Sequence, residues 1–316
     1  MSWVFFLTLD FFPEIIRIGS EKSIFKTETR SDISFLGWGM VIKSRKIDIS
    51  VIVVNFESYD VILQLLDSAN DSFGNLSVEF IVVDNSSEKN LMALSNLRRK
   101  FSGIKIINPK ENIGYAKGVN LGILKSSGQY LAVINPDVII IDGTLTKLYK
   151  FAKEHQNVGM IGPKLLTLEG DLHLSCRTFP GPLTLLYKRL PIINRLPFIK
   201  RKVSDHMMLQ ANHNRAQKVD WVSGSFMFVS RAALEHVGLM DGRFFLYMED
   251  VDWCRQFWEN GYEVWYLPQA KAIHIARHLS TQFGLWGLFR RISWVHISSY
   301  LKYLKKYYKI LPPKKF

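Results

Sequence analysis

The run ISVIVV at residues 49–54 consists almost entirely of β-branched side chains. An uninterrupted apolar run of this kind predicts a strand buried on both faces, the usual setting of a parallel sheet. Three more short apolar runs follow at residues 80–83, 104–107 and 130–134. Because helix-forming segments separate them, we expect an α/β fold, in which helices cover both faces of a mostly parallel sheet.

The rest of the chain divides around this pattern. Residues 1–46 lack clear periodicity and are expected to form an N-terminal extension, whereas the regular pattern of the main domain covers residues 47–280. Within that domain, residues 172–204 contain four prolines, and we interpret them as a connecting segment. A strand at residues 226–229 resumes the fold, and residues 281–316 remain as a C-terminal tail.

Length and composition exclude several classes of protein. A chain of 316 residues with 47% hydrophobic and 22% charged residues can bury its own core, which excludes collagen-like, coiled-coil and wholly disordered chains. Its two cysteines, Cys176 and Cys254, form neither a disulfide framework nor a CxxC zinc motif. No P-loop, GxGxxG, HExxH or GxSxG motif occurs, so P-loop phosphoryl transfer, hydride transfer and serine hydrolysis lose their usual sequence support.

The net charge of +13 is concentrated in two segments. Residues 172–204 hold seven Lys and Arg residues, residues 264–316 hold ten, and neither segment contains an acid. The end of the second segment predicts an amphipathic basic helix, which suits either an anionic membrane surface or a place on the main domain with its lysines in water. Its apolar side would carry Tyr300, Leu301, Leu304, Tyr308 and Leu311, and its basic side Lys302, Lys305, Lys306 and Lys309.

Polar residues follow the predicted strands at their carboxyl ends, where ligands bind in parallel sheets. Asn55 follows the first strand, Asp84 the second, and Asn135 and Asp137 the fourth. The carboxylate of Asp84 can accept the imide N–H of uracil or thymine, although a turn aspartate explains the same residue. Asn135 and Asp137 can hold a divalent cation that bridges substrate phosphates, and an ordinary turn is again the alternative.

A second acidic group lies among aromatic residues near position 250. Glu249, Asp250 and Asp252 are surrounded in the sequence by six aromatic side chains. Desolvation by aromatic neighbours raises a carboxyl pKa toward the range useful for a general base, whereas a helix N-terminus also collects acids. His274 follows a predicted strand at residues 263–267 and can add an imidazole to a metal site or serve the structure alone.

Six motifs in order resemble the family 2 inverting glycosyltransferases of GT-A fold, and within them the rhamnosyltransferase-like branch. They are VIVVNF (51–56), VVDNSS (82–87), ENIGYAKGVNLGI (111–123), INPDV (134–138), WVSGSFMFVSR (221–231) and FFLYMEDVDWCRQ (244–256). The resemblance extends over about residues 47–280. It implies a Rossmann-like sheet, a nucleotide-sugar donor and a part in surface polysaccharide synthesis.

The resemblance also implies roles for individual residues. Asp84 would bind the pyrimidine base, with Asn55 beside it, while Asn112 and Gly114 would shape the loop next to the nucleotide. Further roles follow from the same motifs: Asp137 would match the last aspartate of the Asp-x-Asp metal motif, Asp250 the acceptor-activating base with Glu249 beside it, and His274 a histidine near the diphosphate. Asn135 replaces the first aspartate of that motif, and Arg277 and His278 can contact phosphate where relatives often have a glycine-rich turn.

The implied reaction is a single displacement by an acceptor hydroxyl. Asp250 would take the proton of that hydroxyl, and Mg²⁺ or Mn²⁺ at Asp137 would neutralise charge on the departing nucleoside diphosphate. The implied donor is a dTDP- or UDP-linked sugar, with rhamnose favoured by the resemblance. The acceptor would be a saccharide or a polyprenyl-linked saccharide, which places the enzyme in the cytoplasm, peripheral on the inner face of the cell membrane.

Two other functions remain open from the sequence. A nucleotidyltransferase shares an α/β sheet and acidic metal sites, but such enzymes usually have a glycine-rich loop with Arg and Lys after the first strand. Here the chain reads Asn-Phe-Glu-Ser at residues 55–58. A basic protein that binds nucleic acid would fit the net charge, but no recognised nucleic-acid module occurs and the acids at 249–252 would have no purpose. We therefore expect no nucleic-acid partner.

Overall fold

The structure is a computed structural model that describes residues 33–36, 39–42, 46–70, 72–87, 90–182, 184, 196–275, 291–308, 310 and 312–313. The chain divides into two compact units, Met1–Arg45 and Lys46–Phe316. In the first unit, strands β1 (Ile33–Leu36) and β2 (Gly39–Ile42) pair antiparallel.

The described strands of the second unit form one ten-stranded sheet and a separate two-stranded ribbon. The strands are β3 (Ile49–Asn55), β4 (Val78–Asp84), β5 (Lys105–Ile107), β6 (Tyr130–Ile134), β7 (Val138–Ile140), β8 (Val158–Leu166), β9 (Leu172–His173), β10 (Cys176–Arg177), β11 (Gln217–Lys218), β12 (Trp221–Val222), β13 (Phe226–Ser230) and β14 (Glu263–His274). The main path runs β11-β14-β8-β13-β6-β3-β4-β5, with β7 beside β14 and β9 beside β8. Strands β10 and β12 form the ribbon.

Eight helices accompany these strands in the described part of the chain. They are α1 (Tyr59–Asn70), α2 (Leu91–Lys100), α3 (Tyr115–Leu124), α4 (Thr144–Glu154), α5 (Pro197–His206), α6 (Arg231–Val237), α7 (Glu249–Glu259) and α8 (Arg291–Lys306). The expected α/β fold is confirmed. Strands β6, β3, β4 and β5 are mutually parallel, as are β8 and β14, whereas β13 runs antiparallel between β6 and β8.

Alternation along β3 builds a core on each face of the sheet. Ile52 and Val54 face one core, which includes residues of α3, α7 and α8. Val51 and Val53 face the other core, with residues of α1, α2 and α4. Every residue of β3 is buried, which is the burial expected of a central strand covered on both sides.

Strand β8 is a central strand that the sequence pattern did not reveal. Its sequence VGMIGPKLL has two glycines and a proline in place of a β-branched run. A Cβ on Gly159 would lie 2.4 Å from the ring of Phe257, and one on Gly162 would lie 2.7 Å from Val222. The strand thus avoids larger residues where α7 and β12 pack closely against it.

The C-terminal helix α8 packs on the main domain through tyrosines. Tyr300 and Tyr303 are buried, whereas Leu301 is 57% exposed. Lys306 turns inward, where its Nζ lies 2.7 Å from Asp252 and 3.0 Å from Asp241. The expectation that Leu301 and Tyr308 share one apolar side with Tyr300, and that Lys306 lies on the opposite basic side, is therefore wrong: Leu301 and Tyr308 are exposed, and Lys306 pairs with acids of the domain.

Candidate active site

The turn between β12 and β13 joins several of the predicted site residues. The backbone N–H of Gly224 donates to Asp250 Oδ2 over 2.9 Å, and the carbonyl of Gly224 accepts from the Tyr115 hydroxyl over 2.8 Å. The next carbonyl, that of Ser225, accepts from the backbone N–H of Asn135 over 3.0 Å. One turn therefore holds the starts of α3 and α7 and the end of β6 together at the carboxyl edge of the sheet.

The acidic pair begins helix α7 after two strained residues. Tyr247 and Met248 both adopt positive φ, 68° and 70°. Non-glycine residues in this left-handed region cost on the order of 1–3 kcal/mol each and are often retained at functional sites. The distorted entry places Glu249 and Asp250 on the first turn, where the helix dipole favours negative charge.

The two carboxyl groups of this pair have different surroundings. Asp250 Oδ1 accepts the N–H of Val251 over 2.8 Å, and its Oδ2 accepts that of Gly224. Desolvation raises the pKa of Asp250, while these two N–H groups and the nearby Arg177 act in the opposite direction. Glu249 is only 5% exposed, and its Oε2 has no hydrogen-bond partner among the described residues. Desolvation, followed by the charge of Asp250, raises the pKa of Glu249 well above its usual range.

These different surroundings favour a charged Asp250 and a neutral Glu249. The group with N–H donors and a guanidinium nearby ionises first, and its charge then keeps the other group protonated. We therefore assign the charge to Asp250 and the proton to Glu249 at neutral pH. A carboxylate whose pKa is raised but still permits ionisation is suited to accept a proton from a hydroxyl.

Asp137 and His274 meet because β7 and β14 pair antiparallel. Val138 lies opposite His274 in the register, and Ile275 N–H donates to the carbonyl of Asp137 over 2.9 Å. His274 Nε2 consequently lies 3.4 Å from Asp137 Oδ1. On its other side, His274 Nδ1 lies 3.5 Å from His173 Nε2, and the two rings contact edge to face.

The chemistry of Asp137 and His274 fits a hard or borderline divalent cation. One carboxylate oxygen and one imidazole nitrogen face each other with their side chains only 18% and 11% exposed. Mg²⁺ and Mn²⁺ accept such a partial ligand set and fill the remaining positions with water and phosphate oxygens. No group of three or more His, Cys, Asp or Glu side chains suited to a metal occurs in the described part of the chain.

Asp84 lies at the end of β4 in a closed hydrogen-bond network. Its Oδ1 accepts from Asn55 Nδ2 over 3.0 Å and from the Ser86 hydroxyl over 2.7 Å, and its Oδ2 accepts from the Tyr59 hydroxyl over 2.7 Å. The side chain has no exposed surface. An imide N–H therefore reaches Asp84 only where a donor, most directly Tyr59, moves aside, and the base-binding roles of Asp84 and Asn55 stay predictions.

Asn112 and Gly114 form a tight turn before helix α3. Asn112 Oδ1 accepts the Gly114 N–H over 2.9 Å, and Gly114 has a φ of 82°. A Cβ at Gly114 would lie 2.7 Å from the backbone and ring of Phe245, so that only glycine fits. Asn85 Nδ2 donates to the Gly114 carbonyl over 2.9 Å. This bond connects the turn to β4, next to Asp84.

Tyr115 occupies the middle of the assembled site. Burial raises the pKa of its hydroxyl well above the usual value, and the charges of Glu249, Asp250 and Asp137 add to the effect. Three acids from α7 and the β6–β7 turn therefore act on one side chain. Asp137 and Asp250 thus belong to one site, and Asp84 adjoins it through Asn85.

The third acid of the cluster, Asp252, has a structural role. It has no exposed surface and accepts hydrogen bonds from the Tyr307 hydroxyl and from Gln256 Nε2, besides its ion pair with Lys306. Asp252 therefore fastens α8 to α7 and does not face the site.

Sequence reasoning missed four residues that build this site. They are Tyr115, His173, Arg177 and Gly224. The first and last lie inside quoted motifs, where a tyrosine and a glycine beside polar residues were available signals. His173 and Arg177 lie in the segment interpreted as a connection. Arg277 and His278 lie outside the described residues, and the phosphate contacts expected of them stay predictions.

Comparison with known proteins shows the family of the chain. Residues 50–238 match the family described as Glycosyl transferase family 2. The chain is similar to the low-salt glycan biosynthesis hexosyltransferase Agl10 of Haloferax volcanii, with 28% identity over 72% of this chain and 67% of the relative. It is also similar to the N-acetylglucosaminyl-diphospho-decaprenol L-rhamnosyltransferase of Mycobacterium tuberculosis, with 27% identity over 57% of this chain and 61% of the relative. It is also similar to rhamnosyltransferase WbbL of Escherichia coli, with 24% identity over 81% of this chain and 92% of the relative.

Solved structures share the fold at low sequence identity. The chain superposes on GalNAc-T7, solved with UDP, GalNAc and Mn²⁺, with a TM-score of 0.61 and 13% identity over 85% of this chain and 49% of that one. It also superposes on the mannosyltransferase PcManGT from Pyrobaculum calidifontis, solved with GDP-Man and Mn²⁺. The TM-score is 0.51, with 15% identity over 75% of this chain and 59% of that one. At these identities the likeness shows the fold alone.

Proposed function

The chain belongs to glycosyl transferase family 2, and from this premise we propose that it moves a sugar from a pyrimidine nucleoside diphosphate to a hydroxyl of a saccharide or polyprenyl-linked saccharide. The reaction inverts the configuration at the anomeric carbon, as is general for this family. The observation that carries the proposal is the turn at Gly224 and Ser225, whose hydrogen bonds to Asp250, to the Tyr115 hydroxyl and to the Asn135 N–H bring the acidic pair and the β6–β7 turn together at the carboxyl edge of the sheet. The family match favours this reading over a nucleotidyltransferase or a nucleic-acid-binding protein.

In the proposed mechanism Asp250 is the general base. The N–H groups of Gly224 and Val251 hold its carboxylate in place, so that one acceptor hydroxyl can donate to it. As that hydroxyl attacks the anomeric carbon, its proton passes to Asp250 and the bond from that carbon to the diphosphate oxygen breaks on the opposite face. Because Asp250 must be ionised, kcat falls as the pH decreases through its raised pKa.

The leaving diphosphate lies on the side of Asp137 and His274 in this proposal. Those two residues would hold a divalent cation, with Asn135 nearby as a neutral residue of the same turn. A cation bound there supplies positive charge that stabilises the departing nucleoside diphosphate. The neighbouring His173 holds the ring of His274 in a defined orientation.

The donor is proposed as a dTDP- or UDP-linked sugar. Asp84 and Asn55 at the ends of β4 and β3 would bind the base, and the turn at Asn112 and Gly114 would flank the nucleotide. Two of the relatives named above are rhamnosyltransferases, which supports rhamnose as the transferred sugar. The name of the Haloferax volcanii relative, a glycan biosynthesis hexosyltransferase, supports a role in glycan synthesis, and we propose a surface polysaccharide as the product.

A screen of nucleotide-sugars tests the proposal directly. The protein is incubated with dTDP-rhamnose, UDP-glucose, UDP-GlcNAc, UDP-galactose and GDP-mannose, with Mg²⁺, with Mn²⁺ and with EDTA. Release of nucleoside diphosphate from a dTDP- or UDP-sugar, dependent on metal and absent in Asp250→Asn, is the expected result. Failure of every dTDP- and UDP-linked donor to be consumed or bound would reject the function proposed here.

The exposed face of α8 supports a second proposal, that the enzyme docks on an anionic membrane. A cavity of about 330 Å³ on this face is lined by Trp294, Leu301, Lys302 and Lys305, among others. Trp294 is 62% exposed, and the sequence from residue 264 onward contains no acid. Exposed aromatic and aliphatic side chains beside lysines are typical of helices that lie at an anionic bilayer surface. Among the described residues, no helix combines the length and apolar character needed to cross a bilayer.

Vesicle flotation tests the docking proposal. Vesicles of phosphatidylcholine with and without phosphatidylglycerol are mixed with the protein at low and high salt. Each lysine near an anionic surface contributes about 1 kcal/mol, so the double variant Lys302→Gln/Lys305→Gln should bind anionic vesicles roughly 30-fold more weakly. The matched control is Lys147→Gln/Lys150→Gln on α4. Equal recovery with neutral and anionic vesicles, or equal loss in both double variants, would contradict docking through α8.

A further inference from the structure

A cavity of about 450 Å³ opens beside Asp250. Its volume is within the range of small-molecule sites. Asp250 and Glu249 line it, together with residues of the β10–β12 ribbon, α5 and α8. Among the described donor-side residues, neither Asp84, Asn112 nor Asp137 contributes to its wall. A molecule in this cavity therefore reaches the base without competing for the nucleotide site.

Arg177 is the cationic group in the cavity wall. It is opposite Trp221 in the register of the β10–β12 ribbon, and its guanidinium lies over the Trp221 ring at 5.1 Å from the centroid. Nη2 makes a long bond of 3.4 Å to the carbonyl of Leu174, and Nε is buried with no hydrogen-bond partner among the described residues. No carboxylate of the described residues forms an ion pair with Arg177, although the charge of Asp250 acts on it.

A buried donor on a guanidinium without an anionic partner is costly for the folded protein alone. The planar guanidinium presents donors in a geometry that matches phosphate or carboxylate oxygens. The cation–π contact with the Trp221 ring restricts the position of the Arg177 guanidinium. These features are those of a site suited to bind an anion.

Glu249 adds a second recognition element to the same wall. Its buried Oε2 has no partner among the described residues, and its neutral form carries a hydroxyl that can donate or accept a hydrogen bond. The cavity thus combines one cation, one neutral carboxyl and the base Asp250. This combination fits a polyhydroxylated ring that bears a negative charge.

From these observations we infer that the cavity is the acceptor subsite, and that Arg177 selects an acceptor sugar carrying a phosphate ester by binding its phosphate oxygens while a ring hydroxyl faces Asp250. This inference rests on the proposed glycosyl transfer and names the acceptor class for it. A uronate would offer the same type of anion. Phosphate is favoured because His296 and Tyr300 of α8 also line the cavity, which places it next to the helix proposed to meet the membrane, where lipid-linked sugars are joined through phosphate.

Direct binding tests the inference without turnover. Calorimetric titrations use glucose 1-phosphate, N-acetylglucosamine 1-phosphate, their methyl glycosides, methyl glucuronide and inorganic phosphate, with UDP as the probe of the donor side. The wild type should bind a sugar phosphate at least tenfold more tightly than its methyl glycoside. Arg177→Gln should lose that preference, Arg177→Lys should retain part of it, and neither should change UDP affinity. Lys147→Gln, which removes a lysine from a separate cavity, is the matched control.

Three results would overturn the inference. They are an unchanged preference in Arg177→Gln, a preference for methyl glucuronide over the sugar phosphates, and an equal loss of UDP and sugar-phosphate binding. Melting temperatures of the variants separate these results from unfolding, and Arg177→Lys keeps the charge should Arg177→Gln fail to fold.

Turnover then separates a binding role from an electrostatic one. With phosphorylated acceptors, Arg177→Gln should raise KM at least tenfold at a pH high enough to ionise Asp250 in both proteins. Because Arg177 lowers the pKa of Asp250, the kcat profile of this variant should also shift to higher pH. A shifted pH profile with an unchanged KM would show that Arg177 serves only to tune Asp250, against the inference. Metal-dependent consumption of a nucleotide-sugar by Arg177→Gln keeps the proposed function intact in either case, whereas its absence in every protein tested, wild type included, counts against that function alone.

Discussion

The amino edge and the carboxyl edge of the central sheet, where its parallel strands begin and end, differ in how completely their polar groups are hydrogen-bonded. At the amino edge, Glu79 accepts hydrogen bonds from the Ser50 hydroxyl, from the Ser127 N–H and hydroxyl, and from Lys105 Nζ, all between 2.6 and 2.9 Å. Nearby Arg231 donates to the carbonyl of Gly128 over 2.5 Å. Every polar atom of Glu79 is thus matched by a donor of the protein itself.

At the carboxyl edge the polar groups are incompletely matched. Glu249 Oε2, Asn85 Oδ1 and Arg177 Nε are buried with no hydrogen-bond partner among the described residues. Such atoms are unfavourable for folding unless something else satisfies them. The difference indicates that the amino edge stabilises the fold, while the carboxyl edge is shaped for a molecule that comes from solution.

The pKa values of the two edges show the same contrast. Desolvation alone would raise the pKa of Glu79, but the bonds from Lys105, Ser50 and Ser127 outweigh it and lower the pKa to about 2. Desolvation raises the pKa of Glu249, and no cation of the described residues offsets this effect. Glu79 in β4 and Glu249 at the start of α7 therefore have pKa values shifted in opposite directions.

The largest effect is expected at Asp250. Asp250→Asn keeps the size of the side chain but cannot accept the acceptor proton, so kcat should fall about 10²- to 10⁴-fold. Melting temperature and UDP affinity should stay near those of the wild type, and Asp171→Asn on the surface is the control. Full turnover in Asp250→Asn would show that the carboxyl edge does not hold the general base at Asp250.

A smaller loss is expected at the proposed metal ligands. Asp137→Asn and His274→Gln should each raise the Mn²⁺ concentration needed for half-maximal activity at least tenfold, because each removes one of the proposed protein ligands. EDTA should abolish wild-type activity, and added Mn²⁺ should restore it. His155→Gln, an exposed histidine on the far side of α4, is the control. Unaltered metal dependence in both variants would show that the cation, where needed, is held elsewhere.

The part of the fold that the sequence predicts well is the part that depends on side-chain type. Strands β3, β4 and β6 are recognisable because Val and Ile dominate them, and the structure places β6 at Tyr130–Ile134 as expected. Strand β8 escaped because Gly159, Gly162 and Pro163 conceal it. Its strand character comes from neighbouring strands and from close contacts with α7 and β12, which a local pattern does not contain.

Prediction of the site from the sequence has the same limit, because local patterns do not contain distant contacts. Asp137, Asp250 and His274 were predictable as chemical groups, since acids and a histidine follow strands or stand among aromatics. Arg177 was not, because it lies in a proline-containing segment and acquires its place only from the two-residue ribbon with Trp221. The inward turn of Lys306 depends likewise on acids far away in the sequence.

Glu249 should affect stability through pH. Its folded-state pKa is raised above the usual 4.5, so the unfolded chain loses the proton first and the fold loses stability as the pH rises from 4.5 to the folded pKa. The loss is about 1.4 kcal/mol per pH unit at most within that window. Glu249→Gln, which mimics the neutral form, should abolish this slope and keep the melting temperature up at pH 8. Urea unfolding at pH 5, 6.5 and 8 measures the free energy of unfolding of both proteins. Parallel slopes of this free energy against pH would show that Glu249 is not held neutral.

The smallest effect is expected at Glu79, where a loss of stability without a loss of activity would separate the two edges. Oε1 takes the three bonds from Ser50 and Ser127, and Oε2 takes only that of Lys105, whose side chain is 47% exposed. Glu79→Gln can keep the first set and lose the last, which is worth about 1 kcal/mol or less for an exposed partner.

The pH dependence of this variant has the opposite sign to that of Glu249→Gln. Because the folded pKa of about 2 is below the usual 4.5, the carboxylate stabilises the wild type above pH 4.5 and this contribution disappears as the pH falls toward 2. The stability gap between wild type and Glu79→Gln should therefore be present at pH 7 and close by pH 2–3, with kcat unchanged throughout. A gap that persists at low pH, or a loss of transfer, would mean that the amino edge is not the purely structural edge that its complete hydrogen bonding indicates.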